Sequence, residues 1–130
     1  GLESVSINDF LYTKDNAILN ASDSVMKHYA KEYLGYEREK GLDFIARFNG
    51  KIVISEAKFL TDFGGHQNAQ LEDALQLLKC PLKENVVKIA ILDGVCYIQN
   101  KSKMNAMLCQ KYGDENILSA LILRDFLYSL

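Results

Sequence analysis

The sequence lacks most of the features that place a protein quickly. It has no apolar stretch long enough to span a membrane. It has no internal repeats, low-complexity segments or linkers, so residues 1–130 read as one domain with a single sizeable core. The chain begins with Gly1 rather than Met, and the domain could be a fragment of a longer chain. No signal peptide is visible, which points to the cytoplasm. The three cysteines, Cys80, Cys96 and Cys109, are far apart and odd in number. They have neither zinc-ligand nor disulfide-framework spacing and read as reduced, mostly buried thiols. A net charge of −2 gives no excess of positive charge. Composition alone therefore does not advertise nucleic-acid binding, and any such role needs basic residues gathered on one face.

What is present centres on Gly41 to Lys58, GLDFIARFNGKIVISEAK. Two short apolar runs flank Asn49-Gly50, a strong signal for a two-residue hairpin because both turn positions favour φ > 0. With that turn Phe48 faces Lys51. Carried along the strands, the same register sets Asp43 directly opposite Glu56 as a close, non-hydrogen-bonded pair. Lys58, two residues beyond Glu56, shares its face. Ile45, Ile52 and Ile54 lie on that face too, and Leu42, Phe44, Ala46, Phe48, Val53 and Ala57 lie on the other. A hairpin apolar on both faces is expected at the buried centre of a sheet. Facing carboxylates repel and destabilise a sheet. Together they make a site for a hard divalent cation such as Mg²⁺, and a neighbouring lysine can hold a water or meet charge developing on a phosphate.

The residues Asp43 and Glu56-Ala57-Lys58 resemble the D…(D/E)xK signature of the PD-(D/E)xK nuclease superfamily. The contexts Gly41-Leu42-Asp43-Phe44 and FLTDFGGHQNAQ (Phe59 to Gln70) are most similar to type II restriction endonucleases within it. Leu42 stands where the superfamily's name has proline. The resemblance implies an α/β fold with a restriction-endonuclease-like core, a mixed central β-sheet flanked by helices. It also implies Mg²⁺-dependent hydrolysis of phosphodiester bonds in double-stranded DNA, with Mn²⁺ able to substitute. Asp43, Glu56 and the backbone carbonyl of Ala57 would bind the metal. Lys58 would orient the attacking water and stabilise the pentacovalent phosphate. In similar nucleases a helix before the hairpin often supplies a further acidic residue, for which Glu32 and Glu39 are the candidates; a solvated glutamate is the alternative role for either. A repair or junction-resolving nuclease would share the same site residues, and a non-catalytic DNA- or protein-binding module would share the fold. A one-site enzyme that cuts both strands implies a homodimer.

Along the chain, Ser4 to Leu19 carries Val5, Ile7, Phe10, Leu11, Ala17 and Ile18, with Ser6 a candidate cap and Asp9 its partner. A second helix is expected from Ser22 or Asp23, ended by Gly35. Gly64-Gly65 allow a tight turn before a helix over His66 to Lys79, with Leu71, Ala74, Leu75 and Leu78 inward. Gln67 and Gln70 fall at its first turn, where they could position the site or touch a DNA backbone; the free N–H groups there also suit a phosphate. His66 reads as an exposed helix-start residue. Pro81 stops that helix. Val86 to Leu92 reads as a buried strand parallel to its neighbour. Asp93-Gly94 reads as a tight turn and Val95 to Gln99 as a short returning strand. A helix from Ser102 to about Tyr112 bears the basic residues Lys101, Lys103 and Lys111, either a DNA-backbone patch or a solvated face. Ile117 to Leu123 fits strand and helix equally. Arg124 to Leu130 reads as a short apolar helix packed on the core or on a partner.

Overall fold

A computed structural model of the chain describes residues 2–97, 103–106, 108 and 115–130. Among these residues, six strands form one sheet whose spatial order is the chain order. They are β1 (Glu3–Val5), β2 (Ala17–Leu19), β3 (Phe44–Phe48), β4 (Lys51–Leu60), β5 (Val86–Gly94) and β6 (Ile117–Leu118). β1 and β2 are parallel, β3 is antiparallel to both β2 and β4, and β5 runs parallel to β4 and β6. The helices are α1 (Ile7–Tyr12), α2 (Asp23–Tyr29), α3 (Gly65–Gln76), α4 (Lys103–Ala106) and α5 (Ala120–Ser129). α2 continues as a π-helical turn over Ala30–Leu34, which Gly35 closes at φ 76°. This is the expected α/β fold with a mixed sheet.

The turn at the centre forms as its residues require. Asn49 and Gly50 have φ of 49° and 79°, both positive, as a two-residue hairpin needs. The register follows, from Phe48↔Lys51 to Phe44↔Ser55. β4 then pairs on its other edge with β5 from Ile52↔Val86 to Leu60↔Gly94. A strand flanked on both edges and apolar on both faces needs cover on both. On one face Ile45 and Ile54 pack with Phe10, Tyr29, Leu34 and Tyr36, while Leu60, Ala90 and Leu92 pack against Leu71, Ala74, Leu75 and Leu78 of α3. On the other, Ala46, Phe48, Val53, Ile89 and Ile91 pack with Leu118 and with Leu127 of α5. Glu56 and Lys58 alternate with Val53 and Ser55 along β4, so they project to the α3 side.

Serine caps start three of the helices. Ser6, Ser22 and Ser119 accept from the N–H groups of Asp9, Val25 and Leu121, replacing hydrogen bonds the first turn cannot make internally. Arg47 closes the other end of α1: its guanidinium donates to the carbonyls of Phe10 and Thr13 at 2.9 and 2.7 Å. The predicted helix over 66–79 is α3, followed by a 3₁₀ turn at Leu77–Lys79 that ends before Pro81.

Other expectations are corrected. β1 and β2 were not foreseen, because three residues are too few to display a period; their partners, not their own pattern, make them strands. Asp93-Gly94 is not a hairpin turn. β5 runs through both residues into a 3₁₀ turn at Val95–Tyr97, so the described part of 95–99 is not a returning strand. Glycine is needed at 94 for close approach: φ is 96°, and a Cβ would lie 2.0 Å from the Leu60 carbonyl oxygen. Asp93 instead accepts from the Ala120 N–H at 3.1 Å and fastens the start of α5. The ambiguous segment 117–123 is both things in turn, strand at Ile117–Leu118 and helix from Ala120. Of the helix expected over 102–112, Lys103–Ala106 is seen; Cys109 and the side chains of Lys101, Lys103 and Lys111 lie outside the described residues.

The contact at Gly94 sets up a contrast between two glycines of similar φ. Gly94→Ala should cost more than about 3 kcal/mol, because strain and backbone overlap combine. Gly50→Ala, with nothing within 4 Å of the added Cβ, should cost about 1 kcal/mol from φ alone. Thermal melts of both variants check the difference.

Candidate active site

The hairpin ladder stops one residue short of Asp43. The last pair is Phe44↔Ser55, and the Asp43 N–H donates to the same Ser55 carbonyl at 3.1 Å. Continued regularly, the register would give the Ala57 N–H the carbonyl of Leu42. The chain bends at Asp43 instead, and the Asp43 side chain supplies the acceptor: its Oδ2 takes the Ala57 N–H at 2.9 Å. The bend also turns Leu42 into the cluster that holds Tyr36, Ile45 and Ile54. Leu42 was expected on the opposite face, and strict alternation fails there because the strand has ended. Asp43 is thus an exposed carboxylate tied to the backbone of the residue after Glu56, rather than its ladder partner. In an extended strand a residue's N–H and C=O point to the same edge, so the Ala57 carbonyl is directed toward Asp43, past the end of β3.

Glu56 is one of two buried polar or charged residues among those described, at 6 % exposure. Its Oε2 has no hydrogen-bond partner among the described residues. Burial pushes its carboxyl above the usual range; Arg38 opposes this, Asp73 adds to it, Lys58 lowers it and Asp43 raises it again. Lys58 is half-buried, two residues on and on the same face. Arg38 approaches from the loop before β3, with Nη1 4.0 Å from Glu56 Oε2. Its Nη2 donates to the carbonyl and the Oδ1 of Asp73 on α3, at 3.3 and 3.5 Å. Lys40 donates to the same Oδ1. The loop is held in place by buried Tyr36, whose hydroxyl donates to the Lys40 carbonyl at 2.8 Å and is pushed up to about 12 chiefly by burial.

The other candidates are placed elsewhere. Glu32 is exposed and pairs with His28 at 3.0 Å. Glu39 pairs with Lys27 and Lys31, which hold its carboxyl down to about 2. Both side chains are exposed, and their ion pairs lie on the surface. Gln67 joins α3 to the end of β4: its Oε1 accepts from the Thr61 N–H at 2.8 Å and its Nε2 donates to Thr61 Oγ1 at 2.9 Å. Gln70 reaches His66 at 3.0 Å, and His66 is exposed. At the start of α3, Asp62 already occupies the Gly64 N–H at 2.6 Å. Arg38 and Asp73 were missed by sequence reasoning. The available signal was Glu56 itself: a carboxylate in a strand apolar on both faces needs a cation, and Arg38 is the charged residue nearest before the hairpin that is not spent on the surface.

Among the described residues no group of three or more His, Cys, Asp or Glu side chains is arranged to hold a metal. What remains is two carboxylates, Glu56 with an unpaired buried oxygen and Asp43 bonded to the Ala57 N–H. This donor set of hard oxygens fits a divalent cation completed by water and substrate oxygens.

The family model of the Tsp45I type II restriction enzyme matches residues 1–130. The chain belongs to that family. No curated protein and no solved structure gives a match. A member of the Tsp45I type II restriction enzyme family has a restriction-endonuclease-like function, nuclease chemistry on DNA, and the mixed sheet flanked by helices agrees with that fold. No helix among the described residues is long and apolar enough to cross a membrane.

Burial makes Glu56 a pH-dependent term in the stability of the protein. Its folded pKa lies above its ordinary value of 4.5, so its contribution is most favourable below the unfolded pKa and is lost as pH rises through the folded one. In chelator at about pH 8, Glu56→Gln should therefore melt at or above the wild type, and the gap should close toward about pH 4. Melts across that range check the sign; a wild type that gains on Glu56→Gln with rising pH would contradict it.

Proposed function

We propose that the protein is a PD-(D/E)xK endonuclease that hydrolyses phosphodiester bonds in double-stranded DNA with Mg²⁺, or Mn²⁺ in its place. The observation that carries this reading is Glu56: a buried carboxylate with an unpaired oxygen, beside Asp43 and on the same strand face as Lys58, in a type II restriction enzyme. Asp43, Glu56 and the Ala57 carbonyl would hold the cation. When bound, such a cation polarises a phosphate oxygen and lowers the pKa of a water. Lys58 orients the attacking water and meets the negative charge that grows on the phosphate, a contribution strongest where water is excluded. Gln67 acts indirectly, by locking α3 to the end of β4 through Thr61. The site should be assembled in pairs. A chain with one site makes one cut, and two strands call for two copies. The outer side of α5 supports this, since Leu121 is 91 % and Ile122 51 % exposed while Leu127 packs inward.

Supercoiled and linear duplex DNA should be cleaved with Mg²⁺ and left intact with EDTA. Asp43→Ala, Glu56→Ala and Lys58→Ala should each reduce cleavage by about a thousandfold or more with the fold retained by circular dichroism. Near-wild-type cleavage by any one of them removes that residue from the site. Light scattering should report a dimer at concentrations on the order of tens of micromolar; a monomer both with and without DNA would count against the paired assembly.

A further inference from the structure

The guanidinium beside Glu56 is placed in a way that neither packing nor ordinary ion pairing explains. Arg38 Nη1 and Glu56 Oε2 are both buried, neither has a hydrogen-bond partner among the described residues, and they stand 4.0 Å apart. An arginine and a carboxylate that pair for stability close into a fork with two short bonds. Here the fork is turned. Nη2 is given to Asp73, by two weak contacts at 3.3 and 3.5 Å, and Nη1 is left facing Glu56 at a distance that compensates charge without bonding. Leaving a buried carboxylate uncompensated is expensive, and so is leaving a buried guanidinium nitrogen unbonded. The arrangement tolerates both in part. Lys40 also reaches Asp73, and it does so from a side chain that is 53 % exposed.

We propose that Arg38 is the internal counter-ion of the site: it neutralises Glu56 in the metal-free protein and competes with the incoming divalent cation for that carboxylate. This inference rests on the metal-dependent reading above. A cation entering between Glu56 and Asp43 is attracted by both carboxylates and repelled by Arg38. When it takes Glu56, the guanidinium keeps Asp73 as its partner and stays paired. Arg38 is a positioning residue in this scheme. It sets how tightly the cation is held and how Glu56 is oriented before the cation arrives, and it does not itself touch the reacting atoms.

Titration of Mn²⁺ alone, without DNA, into wild type, Arg38→Gln, Arg38→Lys and Lys40→Gln tests this by calorimetry. Arg38→Gln should bind Mn²⁺ about tenfold more tightly, the size expected for removing a unit charge several ångströms from a divalent ion in a partly solvated site. Arg38→Lys keeps the charge and should stay near wild type. Lys40→Gln removes an equal charge from the exposed side of Asp73 and should change affinity less than about twofold, because solvent screens it. A second arm uses chelator and no metal. Arg38→Gln should lower the melting temperature by about 5 °C, and by less than half as much in a Glu56→Gln background, since coupled residues are not additive. Equal Mn²⁺ affinity of wild type and Arg38→Gln, or additive melts, overturns the counter-ion role and leaves the metal-dependent reading standing. A wild type that binds no Mn²⁺ overturns that reading, and the competition with it.

Discussion

A carboxylate buried in the middle of a sheet must be answered by charge, and the region around Glu56 is built on that requirement. β4 pairs with β5 along its length and with β3 up to Ser55, and Glu56 itself is only 6 % exposed, so water cannot solvate it freely. Charge reaches it from three directions. Lys58 comes from its own strand, Arg38 from the loop before β3, and Asp73 on α3 steers Arg38. Each of those elements is in turn fixed by something ordinary. Tyr36 pins the loop through the Lys40 carbonyl, and Leu71, Ala74 and Leu75 bury α3 against the sheet. In the metal-dependent reading proposed above, that burial favours a cation at Glu56, because a hard ion gains most where a carboxylate is poorly solvated.

The end of β3 is where fold becomes site. Had the hairpin continued regularly, Leu42 would have capped the Ala57 N–H and Asp43 would have been one more ladder residue. The bend gives that hydrogen bond to the Asp43 side chain and leaves the Ala57 carbonyl facing the same gap. One oxygen of Asp43 is thereby committed to backbone, which orients the other. The neighbouring segments hold this strand end still. Gln67 ties α3 to Thr61, and Gly94 lets β5 approach Leu60 more closely than any side chain would allow. Gly94 acts through backbone geometry alone, so the position of this strand end depends in part on a residue that carries no chemistry of its own.

What could be read before folding was whatever depends on short-range preference. Asn49-Gly50 specified a turn, the turn specified a register, and the register set Glu56 and Lys58 on one face. Ser6 and Ser22 announced helix starts, Gly35 a helix end, and the spacing of Leu71, Ala74, Leu75 and Leu78 an inward face for α3. The family resemblance rested on the same local string, and the match over the whole chain agrees with it. Two three-residue strands escaped notice because nothing so short has a period. Asp93-Gly94 misled because an aspartate-glycine pair is a turn signal whether glycine supplies φ > 0 for a turn or room for a neighbouring strand.

The local sequence therefore determined the hairpin, its register and the helix starts, since each follows from interactions within a few positions along the chain. Only the tertiary structure decided how that chemistry is held. Arg38, Glu56 and Asp73 are far apart in sequence and meet because a loop, a strand and a helix pack together. Glu32 and Glu39 find their partners on the surface, Glu32 at His28 and Glu39 at Lys27 and Lys31. Burial is a property of the whole fold. It turns Glu56 from a surface carboxylate into one that must be neutralised; the local pattern, apolar on both faces, announces that burial without naming the cation that answers it.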